Sequence, residues 1–545
     1  MTRIGRIALG AVIGALMLAP AAQARDAVVE SFDGTPIVTH FFPAPGLADG
    51  QRAPTLMIGH GWGGSGATSP QPEYARAGYN VLTWDARGFG GSGGTVMIDH
   101  PEFEARDAEA LVDFIAEQPE AQLDSADDPR VGMDGPSYGG GIQFITAARD
   151  GRVDAIAPTI AWNSLVTSLY KADSVKDGWG LALAGVGLPT SLIPGIFSPA
   201  GIQTGHQSPQ FYSLVLNGTT TGRFLAKDVD WLGEHGPGHL LSQIDIPTLI
   251  TQGTTDTLFT LDEAHRNFTA LKAAGVPVKM IWTCGGHGIC LTGSDAGNPV
   301  AGLSGGGERV QARKLAWFAR YLEGNADADL GPEFEWVDEN GDWHSSAAYP
   351  PSPAGSVSGA GAGTIPLIPG VSGSGILIFA TEGLVGGLTV PIDPPPAGAE
   401  VVGAPRLNLT YTATGASLAP DGKTHIYAQM IDRSRTNPLL PVTNLVVNNQ
   451  VAPIKIELDG QRHQIEVPLE RIASEASAQG YELQLIPQSS IYDLQRAAGA
   501  VQVESAEVTV PLTAPVGAAA APSPTAGGSA RAERKKKGKR PKQRR

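Results

Sequence analysis

The chain has 545 residues, 42 % of them hydrophobic, and a formal charge of −15. That length is too great for one ordinary core, so two or three domains are expected. The charge is uneven: residues 531–545 hold ten Lys/Arg and one Glu, leaving −24 on the other 530, and so acidic a body argues against nucleic acid as its partner.

Residues 1–24 read as a secretory signal. Arg3 and Arg6 make the start positive, Ile7 to Leu18 is apolar but too short to span a bilayer, and Ala22-Gln23-Ala24 is a small-x-small site. Cleavage after Ala24 is expected, with an uncleaved anchor as the alternative. No later segment is long and apolar enough for a membrane helix, so the mature chain is expected to be secreted or extracytoplasmic.

Thr55 to Ile58 reads as a buried strand running into a glycine-rich loop, His60-Gly61-Trp62-Gly63-Gly64. Glu73 to Ala77 is a short helix, and Asn80 to Trp84 a second strand ending in Asp85-Ala86-Arg87-Gly88. Phe103, Asp107, Ala108, Leu111, Val112 and Ile115 recur at helical spacing. Arg130 to Asp134 is strand-like, Gly140 to Arg149 helix-like, and Val153 to Trp162 a further strand. Strands alternating with helices predict a parallel α/β sheet covered on both faces. Residues 163–241 break the alternation and read as a cap inserted over the active face. The pattern resumes with Pro247 to Thr251, Leu261 to Ala274, Val276 to Trp282 and Arg309 to Leu322.

After Gly331 the character changes. Phe334 to Val337, Asn340-Gly341 and Trp343 predict a hairpin with a type I′ turn. Asp338, Asn340 and Asp342 hint at a calcium loop, but Tyr349 stands where its closing glutamate belongs, which favours the turn. Residues 350–375 read as a linker or surface loop. Period-two runs follow, among them Leu407, Leu409 and Tyr411, then Ile426, Ala428 and Met430, and they predict an all-β sandwich or jelly roll. Residues 515–545 should be disordered, with a basic end.

Gly135-Pro136-Ser137-Tyr138-Gly139 fits the G-x-S-x-G nucleophile elbow, and the flanking strand and helix favour a catalytic serine over a plain glycine-rich turn. A serine hydroxyl needs a base. His287 lies among glycines directly after the last apolar strand of the α/β part, and Asp256 follows the strand ending at Gly253. Asp256 reads as the acid that orients the imidazole, with Glu263 as a weaker rival; Asp262 reads as a helix N-cap. The order Ser137, Asp256, His287 is the α/β-hydrolase order. Backbone N–H groups of Tyr138 and Trp62 are the candidate oxyanion donors. Cys284 and Cys290 flank His287 and are expected to form a disulfide rather than a metal site, because two thiols in an oxidising compartment pair.

These stretches, with Asp85-Ala86-Arg87-Gly88-Phe89-Gly90-Gly91-Ser92 and Gln252-Gly253-Thr254-Thr255-Asp256-Thr257-Leu258-Phe259, resemble the X-Pro dipeptidyl-peptidase and cocaine-esterase family of serine hydrolases. Tyr427-Ala428-Gln429-Met430-Ile431-Asp432 resembles that family's jelly roll, and the likeness runs over roughly residues 30 to 512. It implies an α/β-hydrolase domain with a helical cap and a galactose-binding-like jelly roll beside it, Ser137, Asp256 and His287 as triad, and no cofactor or metal. Pro136 replaces the usual glycine, and Trp62 stands where relatives often carry tyrosine. No acidic residue here can be matched to those that hold a peptide amino terminus in that family.

The expectation is therefore a signal peptide (1–24), a hydrolase domain (25–330, cap 163–241), a β domain (331–514) and a basic tail (515–545). The chain reads as a secreted serine hydrolase working through an acyl-enzyme, foremost an X-Pro dipeptidyl-peptidase. A carboxylic esterase with the same triad is the alternative, and a non-catalytic envelope- or glycan-binding protein the reading from another class. The expected partner is a peptide or small ester substrate, with anionic cell envelope open to the tail.

Overall fold

A computed structural model describes residues 23–192, 206–291, 307–370, 378–384, 386–475 and 479–514. The signal segment, apart from its last two residues, and the basic tail lie outside these, as does part of the expected cap. Among the described residues no helix is long and apolar enough to cross a membrane.

The N-terminal part is an α/β domain on a ten-stranded sheet. Its strands are β1 (Arg25–Glu30), β2 (Pro36–Phe42), β3 (Thr55–Ile58), β4 (Asn80–Trp84), β5 (Val131–Pro136), β6 (Val153–Thr159), β7 (Thr248–Gly253), β8 (Val278–Thr283), β9 (Phe334–Val337) and β10 (Trp343–Ser346). They lie in the order β1-β2-β4-β3-β5-β6-β7-β8-β9-β10. Pairing is parallel from β4 to β9 and antiparallel at the two ends. Both faces of the central strands are covered, so they read as continuous apolar runs rather than as alternation.

The pleat sorts those runs. Met57, Leu82, Met133, Ile156, Ile250 and Met280 face one core with helices α2 (Glu104–Ala116), α3 (Tyr138–Arg149) and α8 (Leu261–Ala273). Leu56, Ile58, Val81, Ala157, Leu249 and Ile281 face the other, under α1 (Pro72–Arg76) and α9 (Gly307–Tyr321). Between β6 and β7 the chain makes α4 (Leu165–Leu169), α5 (Asp177–Leu192), α6 (Pro209–Thr221) and α7 (Ala226–Glu234).

The C-terminal part is β-rich. One sheet holds β11 (Pro353–Leu367), β13 (Glu400–Gly403), β14 (Arg406–Ser417), β17 (Asp459–Pro468), β18 (Ile472–Glu475) and β20 (Ala497–Thr513). A second runs β12-β19-β15-β16, formed by Leu388–Pro391, Tyr481–Ile486, Thr424–Thr436 and Asn444–Ile456. Their inner faces share one core that includes Leu407, Leu409, Tyr411, Ile426, Met430, Leu483 and Val508.

Four expectations need correction. The stretch 350–375 is not simply a linker, because Pro353–Leu367 is a long strand paired with β20. Its small residues misled: Gly359, Gly361 and Gly363 share one face of the strand, and a Cβ there would stand 2.1 Å from the Pro391 carbonyl oxygen, 2.9 Å from Val390 and 2.9 Å from Leu388. The glycines let β11 press against β12 of the facing sheet. The hairpin exists, but Val337 pairs with Trp343 across a five-residue loop rather than a two-residue type I′ turn. That hairpin hydrogen-bonds to β8, so residues 334–346 extend the α/β sheet instead of opening the β-rich part. Finally, the N-cap of α8 is Thr260; Asp262 lies within the first turn and pairs with Lys171 and Arg471.

Replacing Gly359 by valine is expected to destabilise the protein by about 1–3 kcal/mol through overpacking, whereas Ala360→Val, on the exposed face of the same strand, should be near neutral. Thermal unfolding of the two variants checks this.

Candidate active site

Ser137 sits where β5 turns into α3. Its backbone is at φ 56° and ψ −115°, a region that non-glycine residues rarely adopt. Gly135, Gly139 and Gly140 make the turn sterically possible. A Cβ on Gly139 would stand 2.3 Å from the Gly59 carbonyl oxygen, one on Gly135 2.5 Å from the same atom, and one on Gly140 2.7 Å from the Thr159 carbonyl oxygen. Ser137 N–H donates to Thr159 O at 2.9 Å, and α3 begins at once, two residues earlier than periodicity predicts.

His287 Nε2 lies 2.8 Å from Ser137 Oγ, and its Nδ1 lies 2.7 Å from Asp256 Oδ2. With Ser137 donating its hydroxyl to Nε2, the imidazole carries its proton on Nδ1 and donates it to Asp256. Asp256 is fully buried, and its other oxygen accepts from the N–H groups of Leu258 (2.9 Å) and Phe259 (2.8 Å). Trp179 and Phe259 pack edge-on against the imidazole, at 5.9 and 5.0 Å between ring centroids. Glu263 takes no part: its carboxylate accepts from the N–H groups of Asn163 and Ser164 and from Thr167 Oγ1.

The two loops that carry Asp256 and His287 are zipped together. Gly285 N–H donates to Thr255 Oγ1 at 3.1 Å, and a Cβ on Gly286 would stand 2.6 Å from Asp256 Oδ2. Cys284 and Cys290 form a disulfide that closes the loop around His287.

Three supporting residues carry no signal near the motifs. Gln450 Nε2 donates to the carbonyls of Thr254 (3.0 Å) and Asp256 (3.1 Å), and Asn449 Nδ2 donates to that of Ile289 (3.0 Å). Both lie on β16, so the β-rich part clasps the Asp256 and His287 loops. From the helical insertion, Lys176 Nζ donates to the carbonyls of Thr257 (2.8 Å) and Leu258 (2.9 Å). Burial pushes the Lys176 ammonium down to about 8.

Trp62 turns its ring inward, against Phe89, Tyr138 and Phe211, and its Nε1 donates to Leu183 O at 2.8 Å. Tyr138 is buried, and its hydroxyl donates to Glu104 Oε1 at 3.2 Å. Glu104 also accepts from the N–H groups of Met97 and His100, and burial with Asp107 nearby pushes it up to about 7. The neighbouring Asp99 is raised too, first by burial and then by Glu104.

A pocket of about 380 Å³ opens at Ser137. Its walls are Trp62, Ile98, Trp162, Leu183, Phe211 and Phe259, with further leucines, and no carboxylate or cation lines it among the described residues. A hydroxyl, an imidazole and a buried carboxylate in this array, beside an apolar pocket, have the geometry that acyl transfer requires.

A family model described as X-Pro dipeptidyl-peptidase (S15 family) matches residues 33–289. The quorum-quenching protein AidA of Acinetobacter baumannii (strain MDR-ZJ06) is similar to this chain at 28 % identity over 225 residues, which is 38 % of this chain and 71 % of that protein. Among solved structures, a CocE/NonD family hydrolase from Staphylococcus aureus aligns with a TM-score of 0.59 at 14 % identity, covering 90 % of this chain and 93 % of the other. An α-amino acid ester hydrolase aligns at 0.63 and 13 %, covering 92 % and 100 %. An aminopeptidase from the marine sediment archaeon Thaumarchaeota archaeon aligns at 0.61 and 13 %, covering 90 % and 96 %. At such identities the structural likenesses show a shared fold, in which both the α/β and the β-rich parts take part.

The Lys176 tether yields a pH prediction. Its folded value of about 8 lies below the ordinary 10.5. Between those values the unfolded chain binds more protons, so this group's contribution to stability rises with pH from 8 to 10.5. In Lys176→Met that rise should vanish, and turnover should fall about tenfold as the Asp256 loop loses its tether. Denaturant titrations at pH 7.5 and 10, with steady-state kinetics, check both.

Proposed function

We propose that this chain, a hydrolase belonging to the X-Pro dipeptidyl-peptidase and CocE family, cleaves carboxylic esters with an apolar acyl group through an acyl-enzyme on Ser137. Ser137 attacks the carbonyl carbon. His287 takes the hydroxyl proton at Nε2 and passes it to the leaving group, while Asp256 keeps Nδ1–H oriented and stabilises the imidazolium. The N–H groups of Tyr138 and Trp62 receive the developing oxyanion. Water then takes the place of the leaving group and frees the acid.

The observation that carries the choice of substrate is the pocket at Ser137, walled by aromatic and aliphatic side chains without a carboxylate among the described residues. An X-Pro dipeptidyl-peptidase must hold a cationic amino terminus beside the scissile bond. Burying an ammonium against Trp162, Phe211 and Leu183 without a counter-charge is strongly unfavourable. The family match supports hydrolysis, and the pocket chemistry favours an uncharged acyl part over the dipeptide that the sequence suggested first.

In this reading the helices between β6 and β7 act as a cap, since Leu165, Leu169, Leu183 and Phe211 from them wall the pocket. The C-terminal part serves as a jelly roll that braces the acid and base loops. The protein works outside the cytoplasm after cleavage at Ala24, where the Cys284–Cys290 disulfide is stable, and the basic tail can rest on an anionic envelope.

Two esters with the same leaving group separate the readings: 4-nitrophenyl phenylacetate and its analogue carrying an α-ammonium. The uncharged ester should be preferred by at least about tenfold in kcat/KM, and Ser137→Ala should lose about a thousandfold or more on it. Preference for the ammonium ester, together with cleavage of X-Pro anilides, would instead support the dipeptidyl-peptidase reading.

A further inference from the structure

The hairpin at the edge of the α/β sheet meets the β-rich part at three titratable side chains that ester cleavage does not use. Asp338 follows β9, His344 lies on β10, and Glu400 opens β13, with one ligand atom from each within 4.8 Å of the others. Asp338 and Glu400 are each 4 % exposed, and the His344 side chain is 12 % exposed.

The contacts of the imidazole are unequal. Nε2 lies 3.0 Å from Asp338 Oδ2, an ordinary hydrogen bond. Nδ1 lies 3.6 Å from Glu400 Oε1, too far for one. His344 Nδ1 and Glu400 Oε2 are both buried without a hydrogen-bond partner among the described residues. Leaving a buried carboxylate oxygen and a ring nitrogen unsatisfied together is unfavourable.

A cation held between Nδ1 and the Glu400 carboxylate gives the orphan ring nitrogen a partner and neutralises the carboxylate whose Oε2 has none. Nitrogen and oxygen ligands at about 2.0–2.2 Å from a tetrahedral zinc-type ion stand roughly 3.4–3.5 Å apart, close to the His344–Glu400 spacing. A metal-bound imidazole characteristically gives its second N–H to a carboxylate, which is the part Asp338 plays. Asp338 is held for it, since its Oδ1 accepts from the N–H groups of Asn340 (2.8 Å) and Asp342 (3.0 Å). An imidazole nitrogen with a carboxylate suits a zinc-class cation and not calcium or magnesium, which take oxygen ligands.

We propose that His344 and Glu400 bind a divalent cation of the zinc class, with Asp338 orienting the imidazole and water completing the shell. The ion would pin the last hairpin of the α/β sheet to the first residue of β13, which lies in the other sheet. Its effect is on stability, and the acyl-transfer chemistry does not depend on it.

The test uses the untagged full-length protein, stripped with a chelator and dialysed. Isothermal titration with Zn²⁺ should show one saturable site, and Zn²⁺ in excess should raise the unfolding midpoint by several degrees. Glu400→Gln, which keeps the shape, and His344→Ala should each weaken binding at least tenfold and abolish the shift, while ester hydrolysis remains. The proposal is overturned if no binding appears below about 1 mM, if Ca²⁺ binds as well as Zn²⁺, or if Glu400→Gln retains both affinity and midpoint shift. The first outcome, like a His344 protonated at neutral pH with no ion bound, would make the group an ion-paired clamp between the sheets; the second would make the site unselective, and the third would place the zinc elsewhere.

Discussion

The close approach of two backbones governs this molecule. The turn that carries Ser137 is pressed so tightly against the loop after β3 that Gly59 and Gly139 leave no room for a Cβ between them. Holding Ser137 at positive φ stores about 1–3 kcal/mol of strain, and the contact with Gly59, the Thr159 hydrogen bond and the buried α3 offset it. Because β3, β5 and β6 are adjacent and parallel, their C-terminal ends form one rim, and the hydroxyl projects from it. The loops after β7 and β8 bring Asp256 and His287 to the same rim.

Those two loops are not self-sufficient. They lean on each other through Thr255, Gly285 and Gly286, and they are held from two further directions. Gln450 and Asn449 reach in from the β-rich part, and Lys176 from the helical insertion. Both outside regions therefore influence the geometry of the imidazole and not only access to it. The buried ions at the junction act alike: Lys171 bridges Asp262 and Glu470, and Thr260 donates to Glu470, so α8 is tied to the C-terminal part beside the acid loop.

What could be read from the sequence follows the range of the interactions. The elbow is a local signal, because small residues must flank Ser137 for steric reasons, and the buried parallel strands announce themselves as apolar runs. Asp256 and His287 were marked by position after such strands and by neighbouring glycines. Lys176, Asn449 and Gln450 were not, since a side chain that reaches a carbonyl 81 or 194 residues away leaves no pattern nearby. Pro353–Leu367 reads as a linker because glycine normally signals a turn, whereas there its missing side chain is what lets two sheets meet. The hairpin is legible in the sequence, but the sheet it joins is not, since pairing partners are not written in a strand's own composition.

The central claim is that Ser137 is made nucleophilic by its contact with His287. The most direct measurement is labelling of the whole protein with an organophosphonate bearing an apolar group, followed by peptide mapping, in the parent and in His287→Ala. A single adduct on the peptide containing Ser137, formed at least about a hundredfold more slowly without the imidazole, is the result predicted here. Labelling at another residue, or at Ser137 with equal speed in both proteins, would contradict it.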